Sequence, residues 1–104
     1  MRALRASLRA KRGWTTEQGC SYMGWRFDLC VMKSDDDRSH LYEVETCDFL
    51  HSAHTRGQLR AMNRLAADHA HYAVYLVVPG RCLGDARDLL SLHFGSTKIR
   101  LLAI

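Results

Sequence analysis

One segment constrains this chain more than any other: Ala73-Val74-Tyr75-Leu76-Val77-Val78, a nearly continuous apolar run stopped by Pro79-Gly80. A strand with one wet face alternates apolar and polar residues. This run does not alternate, so it reads as a strand buried on both faces, the kind found in parallel sheets. Before it, Leu59, Met62, Leu65, Ala66 and Ala70 make the apolar stripe of a helix. Thr55-Arg56-Gly57-Gln58 has the Thr-x-x-Gln form of a capping box and sets the expected start of that helix, which ends near His71. After the run, residues 84–94 read as a second amphipathic helix, with Asp85 and Asp88 near its N-terminal end and Gly95 as its stop. Strand, helix and apolar strand in succession imply a right-handed crossover and a parallel pair.

Upstream, residues 25–33 alternate, with Trp25, Phe27, Leu29 and Val31 on one face and Arg26, Asp28, Cys30 and Met32 on the other. Residues 40–47 read as the next strand. The polar turn between them carries Asp35, Asp36 and Asp37, but no glutamate follows at EF-hand spacing, so it reads as solvated. Residues 2–12 read as a short basic helix ended by Gly13, residues 18–22 as a further strand, and residues 98–104 as the last strand. The expected order is α-β-β-β-α-β-α-β, an α/β class in which the hairpin makes the sheet mixed. The 104 residues hold no linker or repeat and read as a single domain over 1–104. No apolar run approaches the ~20 residues of a membrane helix, so no membrane association is expected.

Charge is unevenly placed within the net +4. Residues 1–13 carry five Lys/Arg and no acid; from Asp28 to Asp48 seven acids face Lys33 and Arg38; from Phe49 onward seven Lys/Arg face Asp68, Asp85 and Asp88. An acidic centre between basic flanks suits a polyanion held around a metal site. Arg56, Arg60 and Arg64 recur every four residues and form a basic helix stripe able to follow a nucleic-acid backbone, with Arg5, Arg9 and Arg12 as a second. Either stripe also suits a solvated face. Cys20, Cys30, Cys47 and Cys82 form no CxxC pair and no secretory signal is evident, so they are expected as reduced thiols in a cytoplasmic protein.

The chemistry concentrates on Asp28 and, fifteen residues later, Glu43-Val44-Glu45. Side chains two apart on a strand share a face, so Glu43 and Glu45 point the same way, and a hairpin lets Asp28 join them. Gathered carboxylates repel one another, and a hard divalent cation, Mg²⁺ or Mn²⁺, is the usual remedy. The plain structural alternative places Asp28 and Glu45 on an exposed sheet face, paired with Arg26 or Lys33. His40 lies close by in sequence and is an alternative base. Cys47, His51 and His54, with His69 or His71, match no defensible zinc spacing.

With Arg26-Phe27-Asp28-Leu29, then Leu41-Tyr42-Glu43-Val44-Glu45, then Gln58-Leu59 on the following helix and Tyr75-Leu76-Val77-Val78-Pro79 after it, the chain resembles the restriction-endonuclease-like PD-(D/E)xK nuclease superfamily over roughly residues 2–80. The resemblance implies a restriction-endonuclease-like core, α-β-β-β-α-β, with a mixed central sheet, here extended by a C-terminal helix and strand. It implies Asp28 and Glu43 as metal ligands for Mg²⁺ or Mn²⁺, and Asp28, Glu43, Glu45 and Gln58 as the catalytic set. It further implies hydrolysis of DNA phosphodiesters, on double-stranded or branched DNA, by a homodimer, with Arg56, Arg60 and Arg64 on the nucleic acid. Two positions depart from the pattern: Phe27 stands where the family often has Pro, and Glu45 where it usually has the Lys that orients or deprotonates water and steadies phosphate charge. Some members use Glu-x-Glu and remain active, and Lys33 is a candidate replacement. The alternative is a catalytically degenerate module of the same fold that binds nucleic acid or a protein partner.

Overall fold

The computed structural model describes residues 14–22, 25–33 and 39–104. Its elements are β1 (Trp14–Tyr22), β2 (Trp25–Lys33), β3 (Ser39–Val44), α1 (Ala53–Asp68), β4 (Tyr72–Val78), α2 (Leu83–Phe94) and β5 (Arg100–Ala103), with short 3₁₀ turns at Cys47–Phe49 and Gly80–Cys82. The basic helix expected over 2–12, with Arg5, Arg9 and Arg12, lies outside the described residues, as do residues 34–38 and the Lys33 side chain.

The strands form one mixed sheet in the order β1-β2-β3-β4-β5. β1, β2 and β3 pair antiparallel, whereas β3, β4 and β5 run parallel. The apolar run is β4, flanked on both sides by parallel neighbours, which is why it does not alternate. Val74, Leu76 and Val78 face the helices and pack with Leu41, with Leu59, Met62 and Leu65 of α1, and with Ala86, Leu89 and Leu90 of α2. Both helices therefore cover the same face of the sheet. Each apolar side chain fully buried in this layer contributes about 1.5–3 kcal/mol. α2 ends where expected, at Gly95, whose φ of 64° is a left-handed value that favours glycine.

The other face carries Tyr42, Tyr75 and Val77. The rings of Tyr42 and Tyr75 stack with centroids 4.6 Å apart, and Nδ1 of His40 lies 3.1 Å from the Tyr75 hydroxyl. This corrects the expectation that His40 stands by the acidic site. Three positions separate it from Glu43, so strand alternation turns the two side chains to opposite faces.

Two further expectations are corrected. The strand expected over 40–47 ends at Val44, because Cys47–Phe49 closes into a 3₁₀ turn. The cysteines expected as reduced thiols are bridged: Cys47 and Cys82 form a disulfide with Cα atoms 5.9 Å apart, and Cys30 is also disulfide-bonded. The turn after β3 and the turn before α2 meet at that bridge, a tertiary approach that the 35-residue separation conceals. A bridged Cys47 offers no thiolate, which removes the zinc arrangement built on it, and His51 instead pairs with Asp85 at 2.8 Å. The cytoplasmic expectation rested on reduced thiols and loses that support. Among the described residues, no helix is long and apolar enough to cross a membrane.

Candidate functional site

The antiparallel register of β2 and β3 places Leu29 opposite Tyr42 as the last pair, and one step further along are Asp28 and Glu43. The Glu45 N–H bonds to the Val77 carbonyl of β4, so the alternate N–H, that of Val44, points back toward β2. The Asp28 carboxylate takes it: Oδ2 accepts from Val44 N at 2.7 Å. A carboxylate thus ends the hairpin where the ladder stops.

Glu43 shares the helix-facing side of β3 with Leu41 and pairs in register with Leu76 of β4. It sits at the carboxyl end of a strand within a parallel set, the place where α/β sheets ordinarily hold their ligands. Only 7% of its surface is exposed, and its Oε2 is buried without a hydrogen-bond partner among the described residues. Burial pushes its pKa up to about 8, and the neighbouring Asp28 carboxyl adds to the rise while Gln58 opposes it. Glu45, half-buried, is raised in the same way by burial and then by Asp28, with His54 and the Thr55 hydroxyl favouring its charged form. Asp28 and Glu45 are half-buried and not on an open sheet face: Asp28 shares a cavity lining with residues of α1, and Glu45 lies near His54 and Thr55.

That turn begins earlier than the capping-box spacing predicts. Ser52 is the N-cap, its Oγ accepting from Thr55 N at 3.1 Å and its hydroxyl donating to Thr55 Oγ1 at 3.0 Å. Thr55 is buried inside the helix, and Gln58 lies six residues past the cap, beyond the reach of a capping role. Replacing Ser52 with alanine is expected to lower stability by about 1 kcal/mol, read as a lower midpoint in urea unfolding, because the cap is lost. Unchanged unfolding would remove Ser52 from this account of the site's roof.

Arg26, Asp28 and Glu43 from the sheet and His54, Gly57 and Gln58 from α1 line one cavity of about 610 Å³. The structure therefore brings Asp28, Glu43 and Gln58 to a common wall and sets Glu45 beside Asp28. It does not bring Arg56, Arg60 or Arg64 to the cavity lining; all three are exposed along α1, and Arg64 lies 3.7 Å from Asp68. An exposed pair of that kind contributes little. Arg26 and His54 also line the cavity, although the sequence pattern points to a surface ion pair for Arg26 and to a zinc spacing that does not hold for His54. The signals were present: Arg26 is two residues from Asp28 on a strand, and His54 is four from Gln58 on a helix. The second becomes readable only once the helix is started at Ser52.

The donor set is all oxygen on the carboxylate wall, which suits a hard cation. Among the described residues, no three His, Cys, Asp or Glu side chains converge in a metal-holding group. Mg²⁺ does not require three, since one or two carboxylates with water and substrate oxygens ordinarily hold it. The buried unpartnered Oε2 of Glu43 is the atom that such an ion would satisfy. No protein-family model matches this chain, and no curated protein matches it either.

Proposed function

We propose that this protein is a small nuclease-like domain that binds Mg²⁺ or Mn²⁺ at Asp28 and Glu43 and hydrolyses DNA phosphodiesters. The observation that carries this reading is a carboxylate pair, buried Glu43 and half-buried Asp28, sharing one cavity with Gln58 at the end of the β2–β3 hairpin. The order β-β-β-α-β over residues 14–78 supports the restriction-endonuclease-like core, with α2 and β5 as its extension.

Bound there, the cation would offset charge on the scissile phosphate and acidify the attacking water. Asp28 and Glu43 hold it, relieving their mutual repulsion. Glu45, its pKa raised by burial, is placed to accept the water's proton. Gln58 lines the cavity with Glu43 and favours its charged form. The exposed Arg56, Arg60 and Arg64 run along α1 and offer contacts to the DNA backbone. Cutting two strands takes two such sites, so we propose a homodimer.

The test is cleavage of plasmid and branched DNA across Mg²⁺ and Mn²⁺ titrations. Wild type cuts only with metal, while Asp28→Ala and Glu43→Ala each lose at least about a hundredfold of that rate. Cutting that survives both substitutions would place the chemistry elsewhere. One observation favours a second reading, a binding module without cleavage: no three-ligand group converges among the described residues. In that case binding to DNA persists in EDTA and in Glu43→Ala.

A further inference from the structure

Arg26 lines the cavity two residues before Asp28, and it is exposed. Among the described residues it makes no ion pair and no hydrogen bond. That is unusual for a guanidinium in a cleft walled by acids, because arginine beside a carboxylate ordinarily pairs with it through two parallel hydrogen bonds. Here the Asp28 Oδ2 is engaged by Val44 N and Glu43 is buried. The donor fork of Arg26 is left open toward the cavity space.

Charge balance says what that space would take. Two carboxylates, Asp28 and Glu43, would balance one divalent cation; Glu45 beside Asp28 adds a negative charge, and a phosphodiester brings another. Without a cation on the rim the substrate would be repelled. Arginine fits the task better than lysine does, since its planar fork matches two phosphate oxygens and it does not deprotonate. For the same reason it is unable to act as the general base.

We propose that Arg26 is the phosphate-holding residue of this site. It grips the non-bridging oxygens of the phosphodiester while the water oxygen bonds to phosphorus and the P–O bond to one sugar oxygen breaks; the proton from water goes to Glu45, and the departing sugar oxygen takes a proton from solvent. The two tasks that the resemblance gives to one lysine are thereby divided between two side chains. This assignment rests on the reading of the cavity as a metal-assisted phosphodiester site.

The experiment compares wild type, Arg26→Ala, Arg26→Lys and, as a surface control, Arg60→Ala. Binding of a short fluorescent DNA duplex is measured by anisotropy in Ca²⁺ and again in EDTA, with Mg²⁺-dependent cleavage in parallel. Arg26 should matter only when the carboxylates are neutralised by metal. Arg26→Ala is therefore expected to weaken binding about tenfold in Ca²⁺ and less than about twofold in EDTA. Arg26→Lys recovers part of the loss, Arg60→Ala weakens both conditions alike, and the metal-induced rise in melting temperature without DNA stays unchanged in Arg26→Ala. Cleavage at saturating DNA falls about a hundredfold in Arg26→Ala. Wild-type binding and cutting in Arg26→Ala, or equal losses in Ca²⁺ and EDTA, would overturn the assignment. If wild type binds with metal but does not cut, hydrolysis fails while the Ca²⁺-specific loss still upholds Arg26. If wild type shows no metal-dependent binding, both readings fall.

Discussion

Replacing Glu43 with glutamine is expected to raise the stability of the metal-free protein at pH 8.5 and to abolish the further stabilisation expected from Mg²⁺ or Mn²⁺ at the proposed site. Glu43 is buried on the central strand with one carboxylate oxygen unpartnered, and its pKa is pushed up from an ordinary 4.5 to about 8. The sign follows from proton counting. Below pH about 4.5 the side chain is protonated in the folded and the unfolded chain, and its contribution is fully favourable. Between about 4.5 and 8 the unfolded chain has released the proton and the folded chain still holds it, so stability falls as pH rises. Above about 8 the folded state carries a buried, poorly compensated charge and the penalty is complete. At about 1.4 kcal/mol per unit the effect is on the order of a few kcal/mol. Glutamine has no charge to bury, so urea unfolding in EDTA at pH 5 and pH 8.5 should differ less in Glu43→Gln than in wild type. A pH dependence identical in the two proteins would mean that Glu43 is not the strained group.

The second large effect concerns the disulfide. Reducing Cys47–Cys82, or replacing Cys82 with alanine, is expected to lower stability by about 3–4 kcal/mol, from the loop entropy that a 35-residue bridge removes from the unfolded chain. That is a large share of the roughly 5–15 kcal/mol available to a domain. Cys47 is two residues beyond Glu45, so the loss should also loosen the end of β3 and weaken metal binding. Denaturant unfolding of wild type beside Cys82→Ala measures the first effect, since dithiothreitol would also open the Cys30 bridge, and metal titration of Cys82→Ala the second. Equal unfolding midpoints for the two proteins would deny the bridge a stabilising role.

What the sequence disclosed and what it hid separate along physical lines. β4 was legible because burial on both faces leaves no alternation, and α2 because a glycine with positive φ closes it. The gathering of Asp28 and Glu43 followed from two strands of known alternation joined as a hairpin. The start of α1 was misplaced by three residues because Ser52 and Thr55 are both plausible caps, and only the hydrogen bond from Thr55 N to Ser52 Oγ decides between them. That local ambiguity also hid the place of His54 on the cavity wall and tied Gln58 to a capping role it does not have. The Cys47–Cys82 bridge was illegible for a different reason: pairing depends on two turns meeting in space, and no local pattern encodes it.

The measurement that bears most directly on the site is calorimetric titration of the protein with Mn²⁺ at pH 7, below the pKa of about 8 at which Glu43 gives up its proton, set beside Asp28→Asn and Glu43→Gln. The proposed metal site predicts saturable binding with release of a proton in wild type, because the ion displaces the proton that Glu43 holds, and no binding in either variant. Absence of saturable Mn²⁺ binding by wild type, or undiminished binding by both variants, would contradict it.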